Sequence, residues 1–271
     1  MSVKQRVISK IDRKIERIKK EIHLKKYYLS NLPNEIKVFK NKHDGQRCFI
    51  IGNGPSLTAE DLNLLKNEVT FAANRIYNIF DRTDWRPTYY VVQDTILLNE
   101  IKEKANKVEA KKRFFPINMK WLYNYDFKDD DVAFYLNTIG FYPDLPKFST
   151  DISKQIYEGY TVTYGAIQLA VYMGFTEIYL LGVDFNYSVT IDHEGNIMKH
   201  KGVKDYFSND NNENLILPNL EYSLLGFKAA EKFANENGLK IYNATRGGKL
   251  EVFERIELDV LFNKNLNLMN T

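Results

Sequence analysis

A single cysteine among 271 residues excludes a disulfide framework within this chain. Cys48 stands inside the apolar run Arg47–Ile51, where a cysteine is normally an inert small hydrophobic residue. We therefore expect no thiol catalysis and a protein suited to the reducing cytoplasm.

Long apolar runs are also missing. No stretch approaches the roughly 18 consecutive apolar residues that cross a membrane, and the first residues lack the hydrophobic segment of a secretory signal. A composition that is 44% hydrophobic and 14% aromatic still provides a substantial core, which excludes wholesale disorder. We expect a soluble protein located in the cytoplasm or at the inner face of the membrane.

Positive charge is concentrated at the N-terminus. Residues 1–27 contain 10 Lys and Arg against 3 Asp and Glu, a net charge of +7, whereas the 28 basic and 32 acidic residues of the remainder give −4. A mildly acidic body disfavours a nucleic-acid partner.

The basic segment, residues 1–31, is predicted to form one helix because isoleucines recur at spacings of three and four. They are Ile8, Ile11, Ile15, Ile18 and Ile22. The stripe fits packing on the chain's own domain, a coiled coil that makes a homo-oligomer, or a peripheral membrane contact on anionic lipid. We expect the segment to serve assembly or attachment and not chemistry.

Strand-like runs alternate with helical patterns over residues 46–262, the predicted nucleotide-binding domain. The predicted strands are 47–51, 69–73, 89–93, 113–117, 132–136, 177–182 and 240–243, and the predicted helices are 57–65, 162–173 and 220–237. This alternation indicates an α/β fold with a mostly parallel sheet and helices on both faces. Residues 186–219 are polar with little periodicity, which is typical of a lid or a disordered insertion, and we favour the lid.

A two-glycine loop follows the first predicted strand, in the string Ile-Ile-Gly-Asn-Gly-Pro-Ser-Leu of residues 50–57. Gly52 and Gly54 permit a tight turn and close approach of backbone N–H groups to an anion. Asn53 adds an amide, and Ser56 a hydroxyl at the predicted helix entrance. Because the third glycine of the dinucleotide fingerprint and the lysine of a P-loop are absent, we predict a nucleotide site of another type.

Amide side chains also end two other predicted strands, at Asn74 and Gln93. In a parallel sheet they reach the same edge as Asn53, where three amides suit a pyrimidine ring and ribose hydroxyls; the alternative is that each is an ordinary turn residue. Asp184 lies just beyond another strand end, where a carboxylate holds a hydroxyl or a catalytic partner, or caps a turn.

Histidines and clustered carboxylates are the remaining candidates for chemistry. His193 and His200 both lie in the predicted lid, where a histidine is either solvated or a general base delivered by closure. Asp129, Asp130 and Asp131 are read as a solvated loop in preference to a metal site. We therefore predict no metal ligands.

Three blocks of the sequence carry a resemblance to known families: the string of residues 50–57, the segment Thr163–Phe175 followed by residues 177–185, and the ending 241–253. Together they resemble the bacterial sialyltransferases that cap lipooligosaccharide and a broader set of motility-associated glycosyltransferases and 6-hydroxymethylpterin pyrophosphokinase-like proteins. The resemblance covers about residues 46–262.

The resemblance implies a Rossmann-like variant of the GT-A glycosyltransferase fold, with a lid that orders over a donor such as a CMP-linked nonulosonic acid. It places Asn53 and Ser56 at the donor's phosphate and ribose, Asn74 and Gln93 at the nucleoside, and Thr161 and Thr163 in the segment that faces the donor. By the same match, His200 is the lid's base, and Tyr187 and Tyr206 bind the leaving phosphate. Gln93 replaces an asparagine of the sialyltransferases.

The function expected from this resemblance is sugar transfer from a nucleotide-sugar donor to a glycan acceptor, in capsule, lipooligosaccharide or protein glycosylation, without a metal cofactor. One alternative is a pyrophosphokinase of the 6-hydroxymethylpterin type, which needs Mg²⁺ to bridge phosphates. A second alternative is a nucleotide-binding relative without catalysis.

Overall fold

An eight-stranded sheet forms the centre of the computed structural model, which describes residues 3–208 and 216–262. Its strands are β1 (Arg47–Ile51), β2 (Thr70–Ala73), β3 (Tyr89–Val91), β4 (Lys112–Pro116), β5 (Asp131–Phe134), β8 (Glu177–Leu181), β11 (Lys240–Asn243) and β12 (Glu254–Arg255). Two small two-stranded sheets are made by β6 (Leu136–Asn137) with β7 (Ile156–Tyr157), and by β9 (Val189–Ile191) with β10 (Ile197–Lys199). All pairings in the large sheet are parallel.

Seven helices accompany the strands in the described residues. They are α1 (Val3–Tyr28), α2 (Leu32–Lys37), α3 (Ala59–Leu64), α4 (Thr95–Ala105), α5 (Asn118–Tyr123), α6 (Val162–Tyr172) and α7 (Leu220–Asn237), with a 3₁₀ turn at Ile76–Ile79. None of the helices in these residues is long and apolar enough to cross a membrane.

Both faces of the sheet are buried, as strand β1 shows. Cys48 and Ile50 pack into one cluster with side chains from α2, α6 and α7. Phe49 and Ile51 point the other way, into a second cluster with side chains from α3, α4 and α5. The alternating directions of side chains along a strand produce this division. The predicted α/β fold with helices on both faces is therefore confirmed.

The strand order places a topological switch point beside β1. The order is β12-β11-β8-β1-β2-β3-β4-β5, so the chain runs outward from β1 through β2 to β5 and later returns to β8 on the other side. In open parallel sheets, the crevice at such a point, outside the carboxyl ends of the strands, is where ligands bind. Here the two loops that leave β1 and β8 meet at this point.

The helix after the glycine loop begins later than predicted. Thr58 is the residue before α3, and its hydroxyl accepts from the Asp61 N–H while the Asp61 carboxylate accepts from the Thr58 N–H. This reciprocal capping box sets the start of the helix at Ala59. Pro55 and Ser56 therefore belong to a turn, and the prediction of Ser56 at the helix entrance is wrong.

Helix α1 packs on the domain with its last turns. Tyr27 is 1% exposed and its hydroxyl donates to the Ser153 carbonyl (3.1 Å), while Leu24 packs against the same core. The isoleucine stripe points elsewhere, since Ile15, Ile18 and Ile22 are each nearly half exposed. These three isoleucines therefore do not pack on the chain's own domain. The structure does not describe the side chains of Ile8 and Ile11.

The predicted lid contains a hairpin. Strands β9 and β10 pair in antiparallel fashion around a turn in which the Asp192 carboxylate accepts from the Glu194 and Asn196 N–H groups. The segment returns to the sheet at Phe207, whose N–H donates to the Asn53 carbonyl (3.1 Å). The described part of the lid is therefore attached directly to the glycine loop.

Candidate functional site

A cavity of about 1230 Å³ opens at the carboxyl edge of the sheet, between the loops that follow the strands and the lid. Ten of the twelve site residues predicted from sequence line it: Gly52, Asn53, Gly54, Asn74, Gln93, Thr161, Thr163, Asp184, Tyr187 and Tyr206. Ser56 and His200 are not among the lining residues. The fold thus gathers most of the predicted residues in one place.

The two glycines of the loop let two chain segments touch. A Cβ on residue 52 would lie 2.3 Å from the Gly182 carbonyl oxygen, and a Cβ on residue 54 would lie 1.8 Å from Asp184 Oδ2. No real side chain tolerates these distances. The loops leaving β1 and β8 therefore pack backbone to backbone, and the Asp184 carboxylate sits directly against the turn.

Hydrogen-bond donors of the glycine loop are already used within the protein. The Gly54 N–H donates to the Gly182 carbonyl (2.9 Å), and the Ser56 hydroxyl donates to Asp184 Oδ2 (2.7 Å). Burial raises the pKa of Asp184, and the hydrogen bonds from the Ser56 hydroxyl and backbone oppose that rise. The Gly54 N–H and the Ser56 hydroxyl therefore donate within the protein, and the placement of Asn53 and Ser56 at the donor's phosphate and ribose stays a prediction.

The three predicted amides do converge. The Asn53 Nδ2 donates to the Ala73 carbonyl (2.9 Å), which fixes the side chain across the end of β2. The Oδ1 atoms of Asn53 and Asn74 and the Oε1 of Gln93 are buried, and no hydrogen-bond donor reaches them from the described residues. The Gln93 side chain has room because residue 165 is a glycine. A Cβ added at that position would lie 2.4 Å from Gln93 Oε1. Buried acceptors without donors are rare in folded proteins, and they indicate a ligand or water.

Two tyrosines of the lid face the same cavity. The rings of Tyr187 and Tyr206 lie 6.3 Å apart in an edge arrangement. Burial raises the pKa of both hydroxyls, that of Tyr206 to about 12 with a further rise from Asp205, so both stay protonated at neutral pH and can donate hydrogen bonds. The sequence prediction placed them at a leaving phosphate, and their position in the cavity is compatible with that role.

Thr161 and Thr163 enter the site at the start of helix α6. Thr161 is the N-cap, and its side chain accepts from the Thr163 N–H (3.3 Å). Both residues line the cavity. One threonine hydroxyl is therefore partly committed to capping, whereas no hydrogen bond of the Thr163 side chain is found in the described residues.

The two lid histidines do not line the cavity. His200 is exposed, its N–H donates to the Ser188 carbonyl (2.7 Å), and its Nε2 lies 3.3 Å from Thr190 Oγ1. His193 stacks on Tyr142 and lies 2.6 Å from a Glu221 carboxylate oxygen. The structure does not bring His200 into the cavity with the tyrosines, so its assignment as base remains a prediction.

The predicted aspartate cluster is divided between surface and core. Asp129 and Asp130 are exposed, whereas Asp131 is buried and accepts from Arg113 Nε (2.7 Å) and the Lys128 N–H (2.8 Å). Asp131 thus belongs to a buried ion pair and not to a solvated loop. Across the described residues, no three His, Cys, Asp or Glu side chains are grouped to hold a metal ion.

A second end of the cavity was missed by the sequence analysis. Lys19, Lys20 and His23 of α1 line it, together with Trp121 of α5 and Glu158 after β7. The Lys20 Nζ donates to the Thr138 carbonyl (3.2 Å), and His23 stacks on Trp121 with ring centroids 4.2 Å apart. The N-terminal segment thus contributes side chains to the cavity, while its predicted role in assembly or attachment stays a prediction. No local motif marks Glu158 or the α1 residues, so only the tertiary fold reveals them.

Residues 23–190, more than half of the chain, match the model of a family described as 6-hydroxymethylpterin diphosphokinase MptE-like. The chain belongs to the MptE-like family. The region that matches this family's model begins in α1 and ends in β9. It therefore contains the glycine loop, the three amides, Glu158, Asp184 and Tyr187, whereas Tyr206 lies beyond it.

A solved structure of the sialyltransferase CstII from Campylobacter jejuni, in complex with the substrate analogue CMP-3FNeuAc, is similar to this MptE-like protein. The similarity has a TM-score of 0.45 and 15% sequence identity, and it covers 78% of this chain and 86% of that one. At that level the likeness says nothing about the ligand of this chain. A comparison with curated proteins found no match.

Proposed function

We propose that this MptE-like protein is a glycosyltransferase that binds a CMP-activated sugar, of the nonulosonic acid type, and transfers the sugar to a glycan hydroxyl. The observation that carries the proposal is the set of three cavity-lining amides whose buried oxygens lack donors. The exocyclic amino group of cytosine and the hydroxyls of ribose are donors that match them. A buried acceptor left without a donor costs about 1–3 kcal/mol, so a nucleoside that supplies one gains binding free energy.

The leaving group is the next requirement of this chemistry. Transfer breaks the bond between the anomeric carbon and a phosphate oxygen, through an oxocarbenium-like transition state as in other glycosyl chemistry. Protonated hydroxyls aimed at the departing phosphate stabilise its growing charge. Tyr187 and Tyr206 are the residues proposed for this task, because both line the cavity and burial keeps both protonated.

A second candidate function follows from the family's own description. A diphosphokinase transfers diphosphate from ATP to an alcohol, with Mg²⁺ between the phosphates. Mg²⁺ is commonly held by one or two carboxylates together with substrate phosphates. In this chain Asp94, Asp184 and Asp205 line the cavity and would supply those carboxylates.

The two candidates are distinguished by a ligand screen on the purified full-length protein. Thermal unfolding is measured with CMP, CDP, UDP, GDP and ATP, each with and without Mg²⁺. We expect CMP to stabilise the protein without metal, by about 2.7 kcal/mol when its concentration is a hundred times its Kd. Stabilisation by ATP with Mg²⁺ and none by CMP would reject the glycosyltransferase and favour the diphosphokinase.

A further inference from the structure

Four carboxylates line the described part of the cavity, and three of them already accept hydrogen bonds. Asp94 accepts from the Ile96 and Leu97 N–H groups at the start of α4. Asp184 accepts from Ser56. Asp205 accepts from the backbone and hydroxyl of Ser188. At least one oxygen of each of these three carboxylates is therefore engaged by a hydrogen bond within the protein.

Glu158 differs from the other three. Its N–H donates to the Asn137 carbonyl (3.0 Å), which holds the backbone beside β6. Within the part of the chain that the structure describes, no group donates a hydrogen bond to its carboxylate. The side chain is half-buried and lines the end of the cavity that α1 closes. An unbonded carboxylate facing a cavity is available to receive a proton from a ligand.

Burial and nearby charged side chains determine the pKa of the Glu158 carboxyl. Burial raises the pKa of Glu158 to about 7; Lys20 opposes the rise and Asp94 adds to it. Asp94 also raises the pKa of Tyr206, and all three residues line the same cavity. The other titratable side chains at this end of the cavity are Tyr160, whose pKa burial and Glu158 raise, and Lys19 and His23 of α1. A carboxyl with a pKa near the working pH is suited to general-base catalysis.

We propose that Glu158 is the general base of the transfer, and that the acceptor's hydroxyl enters at the end of the cavity formed by Lys20, Trp121 and Glu158. This inference rests on the proposed glycosyltransferase function. The acceptor oxygen forms the new bond to the anomeric carbon, and the bond from that carbon to the phosphate oxygen of CMP breaks. The phosphate keeps the electron pair, and the acceptor's proton passes to the Glu158 carboxylate.

The test uses water as the acceptor, because a base at this position also activates water. Release of CMP from CMP-N-acetylneuraminic acid is followed between pH 5 and 9 in the full-length protein, in Glu158→Gln and in Glu60→Gln. Glu60 is an exposed glutamate of α3 and serves as the matched control. CMP affinity is measured for each protein by calorimetry.

We expect wild-type release to increase as the pH rises through about 7, because only ionised Glu158 accepts a proton. Glu158→Gln should slow release about 10²–10⁴-fold, remove this pH dependence and keep CMP affinity within threefold of wild type. Glu158→Asp should restore part of the rate, and Glu60→Gln should behave as wild type. Lys20→Met should move the rise to higher pH, since Lys20 favours ionisation of Glu158.

Other outcomes overturn the inference at distinct points. A Glu158→Gln protein with the wild-type rate and pH profile removes Glu158 as base, and loss of the profile in His200→Ala instead would assign the base to His200. Binding of CMP without any release from the donor also rejects the assignment, because a base aimed at the reacting carbon would activate water. Failure of the wild-type protein to bind CMP rejects the proposed function itself.

Discussion

Two buried glutamines of this protein differ in the hydrogen bonds that their side chains make. Gln168 is 0% exposed and fully bonded: it accepts from the Ser149 and Tyr157 N–H groups and donates to the Tyr157 and Tyr164 carbonyls. Gln93 is 5% exposed, yet no described group donates to its Oε1. The first amide therefore stabilises the fold, whereas the second has a buried acceptor without a donor at the cavity that we propose binds the nucleotide.

Replacing each glutamine by methionine, which has a similar length, separates the two roles. Gln93→Met should leave the free energy of unfolding unchanged or raise it by about 1 kcal/mol, because it removes a buried acceptor without a donor. It should also weaken CMP binding by about 1–3 kcal/mol. Urea unfolding and calorimetry measure the two quantities.

Gln168→Met is the matched control for that substitution. It leaves the Ser149 and Tyr157 N–H groups without their acceptor, so it should cost about 3 kcal/mol or more of stability while the folded fraction binds CMP as wild type. Loss of stability in Gln93→Met with unchanged CMP affinity would show that Gln93 is structural and that the proposed nucleoside contact is mistaken.

Single residues were predictable from sequence where a strand end fixes them. Asn53, Asn74 and Gln93 each follow a run of buried residues, so parallel pairing alone brings them to one edge. Ser56 was misjudged because its hydroxyl bonds Asp184, which lies 128 residues further along the chain. Glu158 could not be found at all, because its role depends on Lys20 and Asp94, which only the tertiary fold places near it.

Helix α1 shows the same limit at the scale of an element. Its existence follows from the isoleucine spacing, but the face that docks is the one bearing Tyr27 and Leu24, not the isoleucine stripe. Periodicity indicates that a helix has an apolar face without saying what covers it. Aromatic contacts of α1 determine which face docks. The ring centroids of Tyr27 and Tyr135 lie 5.9 Å apart, and His23 stacks on Trp121.

The docking face of α1 is tested by two truncations to alanine on the same helix. Tyr27→Ala should lower the free energy of unfolding by about 3–5 kcal/mol, as for other large buried aromatic residues. Ile18→Ala, at a side chain that is 46% exposed, should change it by less than about 0.5 kcal/mol. Urea unfolding at low protein concentration measures both. A larger loss from Ile18→Ala would mean that the stripe, and not Tyr27, holds the helix in solution.

At the scale of the whole molecule, the strands of the sheet are more buried than the hairpin of the lid. The strands β1 and β8 are buried on both faces, whereas β10 is exposed at all three residues. Most strands were predicted from their apolar runs, and α1, α6 and α7 were predicted as helices, whereas α4, which is as long as α6, was not. The hairpin of the lid could not, because its polar residues carry no periodic signal, and the returning contact is a backbone bond from Phe207 to Asn53.

This division predicts where a nucleotide changes the dynamics of the protein. Segments with few buried contacts open locally at low free energy, and a ligand that contacts them suppresses the opening. Tyr187, Val189, Asp205 and Tyr206 line the cavity from the lid, so CMP should slow hydrogen exchange of the amides in residues 187–207 at least about tenfold. Mass spectrometry of the exchanged protein measures this, with residues 230–237 of α7, remote from the cavity lining, as the internal control. Protection confined to the glycine loop at saturating CMP would show that the lid does not close on the nucleotide, and the leaving-group role of Tyr187 and Tyr206 would then have to be abandoned.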